Sequence, residues 1–374
     1  MKAAIIIPTQ SNIKSSLQNL LKVYESLQER QGIDVTIFTD KKNDFAYKSI
    51  KVEKISGLDY RTPIEKGLFV LGLPRFYYTD LIEKLKGYDV IESSNPEFYL
   101  FAYQSYLAAK KYGSRLIYRT SQTVEGFFMF KATKPLSLHF AKRACNYAAH
   151  LLFTNPQAEQ RYIKLGLLDK TKNPKKSVII GHATDTKCFR PRKVAMPKKR
   201  VIVSVGGLYK IKGHHVIMQA AKKLMDQNYD IELWIVGDGY YKKSLELLAD
   251  ELGVHSRVKF LGAKGHEELA SIYNKASVFA LANYQEITPA VNEALACKIP
   301  VVVMECGGCN FIIKNGHSGI ITKRFDVDDL ARGMKKMLDH KNFAENLAKN
   351  GRKHILDNFS IEKVAEKFYR CFKD

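Results

Sequence analysis

The chain has 374 residues, 45% of them hydrophobic, and 60 Lys+Arg against 38 Asp+Glu give a net charge of +22. That length exceeds one ordinary core and suits two domains, and no run of about eighteen uncharged apolar residues occurs, so no membrane-spanning helix is expected. The charge is spread along the chain: 30 basic against 17 acidic residues up to position 190 (+13), then 30 against 21 (+9). Such a surface suits anionic lipid, phosphorylated small molecules, nucleic acid or simple solvation. Helix-turn-helix, zinc-finger and aromatic-sheet motifs are absent, so charge alone argues for nucleic acid and does not suffice.

The opening 1-MKAAIIIPTQ-10 has an apolar run too short for a secretion signal and reads as a first buried strand. Further strand candidates in the first half are 34-DVTIFT-39, 88-YDVIES-93, 115-RLIYRT-120, 150-HLLFT-154 and 177-SVIIG-181. In the second half they are 200-RVIVSV-205, 231-IELWIVG-237, 257-RVKFLG-262, 277-SVFALA-282, 299-IPVVVM-304 and 319-GIIT-322. Continuous apolar runs mark strands buried on both faces, and the helical stretches between them imply right-handed crossovers and parallel sheets. The segment 190-RPRKVAMPKKR-200, with two prolines and no periodicity, reads as a linker over 190–199. The expected fold is α/β: two Rossmann-like doubly wound domains, 1–189 and 200–357, facing each other across a cleft. The last stretch, 359-FSIEKVAEKFYRCFKD-374, reads as an amphipathic helix with Ser360 as its cap. Six cysteines without a disulfide rhythm favour a reducing cytosol.

In sheets of this kind, ligands bind at the carboxyl ends of strands, beside helix N-termini. Three stretches have that placement. In 204-SVGGLYKIKGHHVIMQAAKKL-224 a strand ends at Gly206-Gly207, and Lys212-Gly213 precedes a helix. Glycines admit close backbone approach, and a lysine there is a point charge for a diphosphate. In 231-IELWIVGDGYYKKSLELL-248 the strand ends at Gly237-Asp238-Gly239, a weak signal by itself. In 283-NYQEITPAVNEALACKIPVVVMECGG-308, Thr288 at the N-cap and Pro289 at the first helical position start a helix. Its free amides suit a phosphate or a sugar hydroxyl, and Glu293 lies about one turn inside. Each stretch alone is equally compatible with ordinary α/β wiring.

Taken in order and spacing, 206-GGLYKIKG-213, 235-IVGDG-239, 260-FLG-262, 293-EALACKIPVV-302 and Gly307-Gly308 resemble the donor half of retaining glycosyltransferases of the family-4 type, which have the GT-B architecture. The segment 181-GHATDTKCFRP-191 resembles that family's junction between domains. The resemblance is specific over about residues 178–322 and weak before them. Several signature positions differ. Gln285 stands where the first carboxylate belongs, with Glu286 one residue later. Gly207 replaces a phosphate-binding Arg, Thr288 a Gly, and Lys298 the Gly that ends the helix. Phe311 stands where a Glu often follows the glycine pair. In the first half, 8-PTQSNIKSS-16 lacks the glycine-rich loop, and Thr120 and Ser121 occupy the place of an expected His.

The resemblance implies transfer of a sugar, with retention and without a metal, from a nucleotide diphosphate to a cell-surface glycan, glycolipid or lipid-linked acceptor. No cofactor beyond that nucleotide-sugar co-substrate is implied. Lys212 and the amides near Thr288–Ala290, flanked by Ile287, would stabilise the departing diphosphate. Glu293 would hold the ribose, and Gln285 or Glu286 the donor-sugar hydroxyls. The backbone near Lys264 would frame the base. Acceptor-side candidates are Thr120, Ser121, Glu125 and His139, the last equally a plain helix-surface residue. A degenerate binding protein and a nucleotide-sugar epimerase are the alternatives.

Two side readings remain. Cys306-Gly-Gly-Cys309 has redox spacing, and Cys297 offers a further metal ligand. The pair is expected on a loop after a strand rather than at a helix start, and no Cys/His pair completes a zinc set. The stretches 127-FFMFKATKPLSLHFAKRACNYAAH-150 and 67-GLFVLGLPRFYY-78 mix aromatic and basic residues. They suit either a core-facing helix or an anionic membrane surface, which would make a cytoplasmic protein peripheral at the inner face.

Overall fold

The computed structural model describes residues 1–7, 17–41, 46–47, 49–57, 77–97, 100–120 and 134–374. The segments 8–16, 67–76 and 121–133, with Ser121 and Glu125, lie outside these residues. The chain divides into two units, Met1–Gly181 with Ile361–Asp374, and His182–Ser360.

Among the described residues, the first unit has seven parallel strands. These are β1 (Lys2–Ile6), β2 (Asp34–Asp40), β3 (Lys51–Ile55), β4 (Val90–Ser94), β5 (Arg115–Thr120), β6 (His150–Phe153) and β7 (Ser177–Ile179), in the order β3-β2-β1-β4-β5-β6-β7. β1 is central because Ala3, Ala4, Ile5 and Ile6 are all buried, and it pairs with β2 (Ile5 beside Ile37) and β4 (Ile5 beside Glu92). β3 has no counterpart in the sequence reading. Its KVEKI buries only Ile55, as an edge strand permits, so no continuous apolar run marks it. The helices are α1 (Gln18–Gln31), α2 (Leu81–Lys84), α3 (Leu100–Tyr112), α4 (Lys134–Tyr147) and α5 (Pro156–Lys164). The last helix of the chain, Ile361–Lys373, belongs to this unit. It buries Val364, Ala365, Phe368, Cys371 and Phe372, and Phe368 meets Tyr24 of α1 edge-to-face at 5.9 Å.

The second unit has six parallel strands. They are β8 (Arg200–Val205), β9 (Ile231–Val236), β10 (Val258–Phe260), β11 (Val278–Leu281), β12 (Val301–Met304) and β13 (Ile320–Thr322). Their order is β10-β9-β8-β11-β12-β13. The helices are α6 (His214–Asp226), α7 (Lys242–Glu251), α8 (His266–Asn274), α9 (Pro289–Ala296), α10 (Cys309–Ile312), α11 (Val327–Asp339) and α12 (Lys341–Asn358). Val201, Val203, Phe279 and Val303 face one helical layer, and Ile202, Ala280 and Val302 face the other. β11 and β12 are apolar and buried throughout, as strands covered on both faces require. Strand order reverses between β8 and β11, and the loops leaving these two strands flank the switch point where such folds bind ligands.

Residues just after Gly181 are tied to this second unit. Asn292 Nδ2 donates to the His182 carbonyl at 3.1 Å, and Asn274 Nδ2 to the Arg190 carbonyl at 3.0 Å. The division therefore falls at His182, ahead of the proline-rich 190–199.

Candidate functional site

The loop after β8 is held by its neighbour strand. Gly206 N donates to Val236 O at 3.0 Å, and Leu208 N to Asp238 O at 2.9 Å. The two backbones approach so closely that a Cβ at Gly237 (φ 141°) would lie 1.9 Å from Gly206 O, so only glycine fits. Beneath the loop, His214 is 1% exposed with Nδ1 3.0 Å from Ser204 Oγ, and burial pushes its pKa down to about 4. The imidazole is neutral packing, not a cation. Gly207 has no room for a side chain as the loop stands: a Cβ there would lie 2.6 Å from the Tyr209 ring. Tyr209 in turn stacks on Tyr240, beyond Gly239, with centroids 5.3 Å apart.

Lys212 closes a short 3₁₀ turn over Lys210–Lys212. Gly213 follows in the left-handed region (φ 69°), where a Cβ would meet Ala282 O at 2.0 Å, and Tyr284 N donates to Ile211 O at 3.0 Å. These contacts press the loops after β8 and β11 together at the switch point. Lys212 is half-buried. Burial lowers its pKa, while the nearby Glu286 carboxylate and Cys306 raise it.

The second loop is built around Asn283, which is fully buried. Its amide donates to Glu286 O at 2.7 Å and its Oδ1 accepts from Gln285 N at 3.1 Å. Gly307 N donates to Gln285 O at 2.9 Å and Ile287 N to Gly307 O at 2.8 Å, a parallel bridge centred on Glu286. Successive side chains of an extended stretch alternate. Ile287, 2% exposed, enters the core, and Glu286 turns the other way, into electrostatic reach of Lys212. Glu286, one of the two residues left open by the sequence, thus lies near Lys212.

Thr288 is the extended N-cap of α9 and Pro289 its first residue. The Thr288 side chain makes no capping bond, and its buried Oγ1 has no partner. One turn along, Glu293 is 6% exposed, and the Tyr273 hydroxyl donates to its Oε2 at 3.1 Å. Burial pushes Glu293 up to about 7, with the Tyr273 bond pulling the other way. At the same edge of the sheet, Lys264 precedes α8 and pairs with Glu268 Oε1 at 3.1 Å.

Cys306 lies on the loop after β12, as expected, while Cys309 is the first residue of the four-residue α10. In the first unit, Thr120 is 2% exposed at the end of β5 and bonds the Tyr162 hydroxyl, which also donates to Glu97 Oε2 at 2.5 Å. Thr120 is therefore interior support and not an offered group. His139 is an exposed α4 residue against Phe140. Sequence reasoning missed Asn283, Tyr273 and His214. An Asn before a loop is an ordinary turn signal, but nothing local ties Tyr273 to a carboxylate twenty residues on.

The fold is that of the GT-B glycosyltransferases. Anabaena HepE, solved with UDP and glucose, aligns over 100% of both chains with a TM-score of 0.79 at 16% identity. Sucrose-phosphate synthase from Thermosynechococcus elongatus aligns over 100% of this chain and 98% of its own with a TM-score of 0.77 at 20% identity. Residues 185–354, most of the second unit and under half of the chain, match the family model described as Glycosyl transferases group 1. D-inositol 3-phosphate glycosyltransferase of Corynebacterium jeikeium is 29% identical over 192 residues, 49% of this chain and 46% of that protein. The chain thus spans about half the length of that relative. Its namesake in Mycobacterium sp. (strain JLS) is 24% identical over 336 residues, 83% of this chain and 74% of that one.

Proposed function

We propose that the protein is a retaining glycosyltransferase that moves a hexose from a nucleotide-diphosphate sugar, without a metal, to a glycan, glycolipid or lipid-linked acceptor. One observation carries the reading. At the switch point, a half-buried Lys212 lies within electrostatic reach of Glu286, two residues ahead of a helix N-cap whose hydroxyl, Thr288 Oγ1, is buried without a partner. An ammonium and a helix N-terminus are the two fixed positive features that suit a diphosphate, and low local dielectric strengthens both.

In this reading Lys212 and the backbone N–H groups of Thr288 and Ala290, on either side of Pro289, bear the charge that develops on the departing diphosphate. Gly206, Gly207, Gly237 and Gly239 let the backbone approach the nucleotide. Glu286 receives a donor-sugar hydroxyl and holds Lys212 oriented until the donor arrives. Gln285 lines the same loop, and Ile287 anchors it in the core. Glu293 accepts the ribose diol, and the backbone at Lys264 frames the base. The UDP held by HepE makes UDP-glucose the first donor to try. On the acceptor side, α4 exposes Leu136, Lys142, Arg143 and Tyr147, a mixture that supports contact with an anionic membrane surface.

The test is slow hydrolysis of UDP-glucose, scored as released UDP. Turnover in the native chain and its loss in Lys212→Ala support the proposal. Turnover unaffected by that change removes Lys212 from it, and absence of turnover with every donor that binds favours a binding protein.

A further inference from the structure

Two thiols stand where the loop after β12 meets the proposed donor site. Cys306-Gly307-Gly308-Cys309 is a four-residue turn closed by Cys309 N donating to Cys306 O at 3.2 Å. Gly308, at φ 81° and ψ −3°, has the third-position geometry of a type II turn, which glycine adopts without strain. Such a turn brings its first and last Cα atoms within about 7 Å, and a disulfide spans about 4.4–6.8 Å. The two thiols lie near enough for each to shift the other's ionisation, in opposite directions.

The remaining cysteines do not share this setting. Burial pushes Cys188, Cys297 and Cys371 up to about 12, and Cys145 well above its ordinary value, so all four are protonated and inert. Cys309 is the opposite case. Its neighbour Cys306, and backbone amides at its own turn, hold Cys309 below the usual thiol range, while Cys306 is pushed up. The proximity of the two sulfurs thus favours a single thiolate shared by the pair over two inert thiols. Cys306 keeps 7% of its surface exposed and Cys309 1%, so the pair meets solvent on the Cys306 side.

The turn is also wired to the loop of Gln285 and Glu286. Gly307 bonds Gln285 and Ile287 through its amide and its carbonyl, and Cys306 lies within electrostatic reach of Lys212 and Glu286. We propose that Cys306 and Cys309 form a modification site, a dithiol that a hydroperoxide converts reversibly to a disulfide, and that the disulfide weakens nucleotide binding by reshaping this turn. The second half rests on the donor-site reading above; the first does not.

The step balances. A thiolate attacks the peroxide O–O bond, giving a sulfenic acid and hydroxide. The second sulfur, losing its proton, then displaces hydroxide from the first and forms the S–S bond. Two thiols and hydrogen peroxide become a disulfide and two waters, and a dithiol reductant reverses the change.

The experiment uses the full chain, reduced, desalted and exposed to near-stoichiometric hydrogen peroxide. Intact mass, peptide mapping after thiol alkylation, and UDP binding by calorimetry are then measured. The expected product is lighter by two hydrogen atoms, linked Cys306 to Cys309, restored by dithiothreitol, and binds UDP about tenfold more weakly, as loss of one polar contact would give. Cys306→Ser and Cys309→Ser should each keep their UDP affinity under peroxide. Oxygen addition without a link, or a link to any other cysteine, overturns the dithiol. A Cys306–Cys309 link with unchanged UDP affinity overturns the coupling. If the reduced chain binds no nucleotide, the donor reading fails, and the mass result decides the dithiol separately.

Discussion

The Tyr273 hydroxyl donates to Glu293 Oε2 at 3.1 Å, inside a helix whose seven residues from Ala290 to Ala296 are all buried. Burial raises the ionisation of that carboxyl to about pH 7, above its ordinary 4.5. Between those values the folded chain holds one more proton than the unfolded chain, so stability is full below the lower value and falls as pH rises to the upper. The loss amounts to about 3 kcal/mol. Urea unfolding at about pH 5 and about pH 8 should show it in the native chain and not in Glu293→Gln. An equal fall in both would place the titration elsewhere. If ribose hydroxyls donate to ionised Glu293, nucleotide affinity should rise over the range in which stability falls.

Lys212 is held between burial, which disfavours its charge, and Glu286 with Cys306, which favour it. Lys212→Ala should lower UDP affinity at least about tenfold, the scale of one charge-assisted bond, with little change in fold. Calorimetry with circular dichroism checks both. Unaltered affinity would dismiss the lysine as surface charge.

Thr288 separates binding from stability. Its Oγ1 is buried with no partner, a cost to the folded chain without ligand. Thr288→Val keeps the shape and removes the hydroxyl, so it should leave melting unchanged or raise it while weakening UDP binding. A clear drop in melting temperature would show that the hydroxyl serves the fold.

Gly207 stands where the resembled family carries an arginine, and the Tyr209 ring occupies the volume of its Cβ. Tyr209 is 43% exposed, so it can swing aside. Gly207→Arg should fold and bind UDP more tightly than the native chain; weaker binding would mean that the Tyr209–Tyr240 stack is itself part of the site. Gly237→Ala should instead be strongly destabilising, by more than about 2 kcal/mol, because the atom it would strike is the Gly206 carbonyl. Chemical denaturation reads that cost.

Much of this was legible in the sequence. β8 and β12 announce themselves by the triplets Val201-Ile202-Val203 and Val301-Val302-Val303, and Thr288-Pro289 fixes the start of α9 to the residue. β3 was not, because an edge strand with alternating charges resembles a loop. The site divides similarly. Lys212 and Glu293 follow from local spacing, whereas the bridge that holds the Glu286 backbone is made with Gly307, twenty-one residues further on, and no local pattern announces it. The Cys309 helix start was hidden by two glycines that read as a loop, and Thr120 looked available until Tyr162 was seen to bond it.

The central claim is a nucleotide-diphosphate site at the β8–β11 switch point, and the most direct test is calorimetric titration with UDP, GDP, ADP and CMP, with and without Mg²⁺. The account predicts one nucleoside diphosphate binding clearly above the rest, equally well without the metal, and lost in Lys212→Ala. Uniformly absent binding, or binding untouched by that substitution, would contradict it.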